Sequence, residues 1–130
     1  MNAPRTISPS KIADFLACRH LTALERARAE GAIKRPYFDD PSAKILAKLG
    51  DEHEERFLAS LKAEKKGEIV EIDKELPWPE AAEATTAAMK SGASVIYQAT
   101  FFQPPYLGRA DFLVRVNKKS KLGEWSYEAV

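Results

Sequence analysis

Two polar residues stand where a packed domain does not want them, and their types suit chemistry. His53 falls in the series Leu46, Leu49, His53, Phe57 and Leu61. Steps of three or four share one helix face, so the imidazole lies on the apolar stripe between Leu49 and Phe57. Gly50 lies three residues earlier on that face. A mid-helix glycine costs roughly 1 kcal/mol relative to alanine. It makes sense where another backbone or a ligand comes close. Asp111 stands mid-way along Tyr106–Val116. Strand alternation puts Gly108, Ala110, Phe112, Val114 and Val116 on a core face. Asp111 shares the other face with Leu107, Arg109, Leu113 and Arg115, although strands disfavour aspartate. Imidazole and carboxylate both ligate ions of the Mg²⁺ or Mn²⁺ type. The competing reading is a core histidine bonded to a backbone carbonyl, and a solvent-facing aspartate paired with Arg109 or Arg115. Spacing alone does not bring the two together. Gln98, on the strand beside Asp111, is a candidate to line a substrate cleft, as is Arg109; an outward polar position is the alternative for Gln98.

The elements that must position these residues follow from caps, breakers and period. Ser8 caps a first helix with Pro9 at its first position. Ile12, Phe15, Leu16, Leu21 and Leu24 carry it on to a stop at Gly31. Asp40 or Ser42 caps a longer helix that runs to about Lys66, and Gly67 ends it. Glu68–Ile72 reads as a short strand. Leu76–Pro79 is a turn leading to an alanine-rich helix from Glu80 to about Lys90, closed by Gly92. Ser94–Phe102 and Tyr106–Val116 are strands joined at Gln103-Pro104-Pro105. Asn117–Gly123 is a polar hairpin loop, and its lysines read as a solvated run. Trp125–Val130 begins a third strand. The pattern is α/β: two N-terminal helices, a short strand, a helix, then an antiparallel β-meander. Because the chain stops inside a β-rich run, it is expected to be one incomplete domain over residues 1–130. Its terminal strand is then exposed and open to self-association.

Composition narrows the classes. Twenty Lys and Arg stand against nineteen Asp and Glu, a net charge of +1, so any nucleic-acid contact must be local. One cysteine, Cys18, excludes a disulfide scaffold and a multi-cysteine zinc site. No apolar run spans a bilayer, and Met1–Thr6 lacks the apolar core of a signal peptide. The expectation is a cytoplasmic protein with no membrane partner. His20 belongs to no motif.

Three segments together resemble the RecB-like branch of the PD-(D/E)xK nuclease superfamily. Ser8-Pro9-Ser10-Lys11-Ile12, Phe15 and Cys18 resemble its N-terminal helix. Leu49-Gly50-Asp51-Glu52-His53 resembles its glycine-and-histidine motif. Gly108-Arg109-Ala110-Asp111 resembles its Gly-x-x-Asp strand. The resemblance covers nearly the whole chain. It implies a restriction-endonuclease-like core and a metal-dependent DNA nuclease, with His53 and Asp111 as metal ligands and catalytic residues and Mg²⁺ or Mn²⁺ as the ion. The family's acidic-x-Lys motif has no match: Glu128 is followed two residues later by Val130, the last residue. This chain alone is therefore expected to be inactive, and a non-catalytic nucleic-acid-binding or scaffolding domain is the alternative. In a longer parent the resemblance allows helicase or further nuclease domains. It also allows an iron–sulfur cluster with Cys18 as one ligand; within this chain Cys18 reads as a small apolar helix residue.

Overall fold

The computed structural model describes residues 5–130. Met1–Pro4, and with them most of the stretch that lacks a signal-peptide core, lie outside the described residues. The order is α1 (Pro9–Ala17), α2 (Arg19–Ala29), α3 (Pro41–Glu64), β1 (Ile69–Glu71), α4 (Trp78–Ser91), β2 (Val95–Gln103), β3 (Tyr106–Val116) and β4 (Ser126–Ala129). The four strands form one mixed sheet in sequence order. β1 runs parallel to β2, and β2, β3 and β4 form an antiparallel meander.

The sheet is covered on both faces. On one, α4 lays down Ala81, Thr85 and Ala88, spaced by three or four and buried. Small side chains let this helix approach closely, and Ala81 and Ala88 cluster with Ile72, Ala93, Ile96, Ala99 and Leu113. On the other face, Leu58 of α3 packs with Val95 and Phe112, joined by half-buried Phe57, Leu61, Ile69 and Tyr97. The Phe57 and Phe112 rings meet edge to face at 4.8 Å, a favoured aromatic geometry.

The helix boundaries depart from the sequence reading at three points. The first expected helix is two, because Cys18 is extended (φ −158°, ψ 102°) and ends α1 where α2 begins. The apolar period runs through this break, since periodicity reports a face and not continuity. α3 is capped by Asp40, whose carboxylate accepts from the Ser42 and Ala43 amides. It ends at Glu64, two residues before the expected end, with Lys65 capping it in a left-handed conformation. α4 starts at Trp78, two residues early, with proline in its first turn, where a missing N–H costs nothing.

The expected stripe of α3 is only half used. Leu46 and Leu49 are exposed, and so is His53. The face that docks is Glu54, Phe57, Leu58 and Leu61, one step around the helix. α1 and α2 bury no side chain. The segment before α1 is tied to the start of β3, where Ile7 N–H donates to the Pro105 carbonyl and Leu107 N–H to the Ile7 carbonyl.

Candidate active site

Docking of the C-terminal half of α3 sets the site. Leu58 fixes the helix on the sheet, and Glu54, one turn earlier, is carried over β2. Its carboxylate Oε1 accepts from the Tyr97 hydroxyl at 2.5 Å and from the Gln98 amide nitrogen Nε2. The same Nε2 also donates to Asp111 Oδ1 at 3.4 Å. One neutral amide thus stands between two carboxylates.

Tyr97 and Gln98 are consecutive strand residues, and regular alternation would point them to opposite faces. They share a face because Gln98 has a left-handed backbone, φ 57°. Such a conformation in a non-glycine residue costs roughly 1–3 kcal/mol and persists only where its surroundings over-determine it. Here the surroundings do so. The Thr100 hydroxyl donates to the Gln98 carbonyl, the Thr100 amide donates to Thr85 Oγ1, and Arg109 Nε donates to Thr100 Oγ1.

The irregularity extends to β3. The ladder pairs Tyr97 with Phe112 and Ala99 with Ala110, leaving Gln98 and Asp111 opposite one another and unpaired. Ala99 and Ala110 pack on the α4 side, whereas Tyr97 and Phe112 pack on the α3 side. Both strands therefore change face at this point. The expectation that Ala110 and Phe112 share one core face is corrected: alternation breaks at Asp111, and its carboxylate turns toward α3.

His53 and Asp111 line the same open cleft of about 450 Å³, together with Gly50, Asp51, Glu54 and Phe57. Both are exposed, so His53 is not a core histidine. Gly50 is open: a methyl there would meet nothing within 4 Å. The space beside it belongs to the cleft and not to another backbone. Gln98 is 3% exposed and sits behind the cleft rather than along it. Arg109 is not among the lining residues; its guanidinium lies 4.8 Å from the Trp78 ring centroid and supports Thr100. Arg115 does not pair with Asp111 either, but donates to the Gly92 carbonyl and stacks on Trp125. Cys18 is exposed at the α1–α2 junction.

Burial, then the hydrogen bond to Glu54 and the charge beside it, pushes the Tyr97 phenol up from 10.0 to about 12. The phenol is therefore a firm donor, and it holds Glu54 in place. Glu54 and Tyr97 do not stand out in the sequence. The available signal was Glu54 four residues before Leu58 and three before Phe57, on the face those two residues share.

No family model, curated protein or solved structure matches the chain. The Mg²⁺ or Mn²⁺ expectation assigns one imidazole and one carboxylate, His53 and Asp111; Glu54 is already engaged, and Asp51 lines the same cleft without completing a group of three ligands. Among the described residues, no group of three or more His, Cys, Asp or Glu could hold a metal ion. Two protein donors leave a hard, strongly hydrated ion mostly in water. These residues do not make a metal centre by themselves. Among the described residues no helix is long and apolar enough to cross a membrane.

Proposed function

We propose that this chain is the N-terminal part of a metal-dependent DNA nuclease domain with a restriction-endonuclease-like core, inactive as it stands. The observation that carries the reading is that His53 of α3 and Asp111 of β3 line one open cleft. The three-segment resemblance supports it from the sequence side. In this reading the cleft receives the sugar–phosphate backbone. His53 and Asp111 present a nitrogen and an oxygen donor to it, and Glu54, Tyr97 and Gln98 keep Asp111 in place. Mg²⁺ or Mn²⁺ is the ion that the three-segment resemblance assigns. A nucleic-acid-binding or scaffolding domain without catalysis is the second reading, favoured because no group of three or more His, Cys, Asp or Glu among the described residues could hold a metal ion.

The test compares three proteins on single- and double-stranded DNA with Mg²⁺ or Mn²⁺: this chain, the chain extended into the downstream encoded sequence, and the extended chain carrying Asp111→Ala. The nuclease reading expects cleavage by the extended chain alone. Binding without cleavage by the extended chain supports the second reading. Robust cleavage by the 130-residue chain, or activity that survives Asp111→Ala, overturns the assignment of the site.

A further inference from the structure

We propose that Gln98 is a positioning residue whose carboxamide, turned to the α3 face by a left-handed backbone, fixes the direction of the Asp111 carboxylate. The inference rests on the reading of the cleft given above. Three observations carry it. Gln98 occupies a conformation that L-residues avoid, in the middle of a strand. It is 3% exposed, and the other buried polar residues are two threonines, Thr85 and Thr100. Its Nε2 has two hydrogens and two acceptors, Glu54 Oε1 and Asp111 Oδ1.

The chemistry explains the residue type. Two carboxylates facing one another repel, and an amide N–H₂ group donates to both without adding charge. Glutamate at this position would add a third negative group. Leucine would fill the space and bridge nothing. Glycine would accept the left-handed backbone without strain, so a position selected only for the path of the strand has a better solution than glutamine. The Thr100, Thr85 and Arg109 contacts hold the backbone turn from the α4 side, and Glu54 and Tyr97 meet the side chain from the α3 side. Asp111, exposed on the cleft wall, has no other side-chain partner among the described hydrogen bonds and ion pairs. Its direction depends on this one amide.

The test measures the χ1 couplings of Asp111 by NMR in the 130-residue chain and in Gln98→Leu and Gln98→Gly. The wild-type chain is expected to show one staggered rotamer and both variants an average over several. A merely structural Gln98 would lower the melting temperature and leave the Asp111 couplings unchanged, which overturns the inference. If Gln98→Leu fails to fold, Gln98→Gly decides, since its backbone suits the turn. A cleavage arm on the extended chain separates this inference from the nuclease reading. Loss of roughly 10–100-fold with Gln98→Gly is expected, the usual effect of removing a group that orients a ligand. Full activity of Gln98→Gly beside a dead Asp111→Ala overturns positioning alone. Absence of cleavage by the extended chain overturns the nuclease reading, and the couplings still decide the role of Gln98.

Discussion

Thr85→Val should destabilise the protein far more than the same change at its neighbour, Thr86→Val. Both hydroxyls donate to the carbonyl four residues back, Thr85 to Ala81 and Thr86 to Ala82, each at 2.9 Å. Those carbonyls also accept the regular helical amide, so losing the hydroxyl costs little there. Thr85 Oγ1 additionally accepts the Thr100 amide of β2 at 2.9 Å. Thr85 and Thr100 are both 1% exposed. Valine keeps the shape and leaves that amide buried with no acceptor. An orphaned buried donor costs about 1–3 kcal/mol. The methyl that replaces the hydroxyl returns up to roughly 0.8 kcal/mol. The net loss is then on the order of 1–2 kcal/mol for Thr85→Val, against changes within about 0.5 kcal/mol for exposed Thr86→Val. For a domain of this size 1 kcal/mol lowers the melting temperature by roughly 4 °C. Thermal and urea unfolding followed by circular dichroism measures both. Equal stabilities of the two variants would refute the bond between α4 and β2. They would also remove the support assigned to the Gln98 turn, because the Thr100 hydroxyl holds that carbonyl.

Other outcomes follow from the same geometry. Gly50→Ala should stabilise the free protein by up to about 1 kcal/mol, because the added methyl meets nothing within 4 Å. Gly67→Ala should destabilise it by roughly 1–3 kcal/mol, since φ is +150° and the methyl would collide with the Ser94 side chain; urea midpoints of opposite sign to these would contradict the backbone assignment. Tyr97 has its phenol raised from 10.0 to about 12 by burial and then by Glu54. The neutral phenol therefore contributes stability that is full below pH 10 and lost as pH rises through about 12. The urea midpoint of the wild-type chain should fall more between pH 9 and pH 11 than that of Tyr97→Phe, and parallel falls would contradict the half-buried contact with Glu54.

The fold was largely legible because its elements carry local punctuation. Ser8, Asp40 and Gly92 mark helix ends by capping chemistry, and Tyr106–Val116 carries the composition of a strand over its whole observed length. The cleft was legible only in part. His53 and Asp111 were conspicuous as polar residues in apolar patterns. Glu54 was not, because a glutamate in a charged helix looks like solvated surface until the docked half of that helix is known. The turn at Gln98 was invisible, because it depends on contacts made by Thr85, Thr100 and Arg109 from three different elements. Strand period assumes regular backbone, and a left-handed residue changes the facing of everything after it. The break at Cys18 is of the same kind: one extended residue divides a helix whose apolar spacing continues across it.

His53 and Asp111 line one cleft. A Mn²⁺ titration of the 130-residue chain, read as paramagnetic broadening of assigned NMR signals, tests it most directly. His53 and Asp111 signals should broaden together, at roughly millimolar Mn²⁺ because two protein donors hold a hydrated ion weakly. His53→Ala should remove the broadening at Asp111. Broadening of the two residues at different concentrations, or only at acidic residues remote from the cleft, would contradict it.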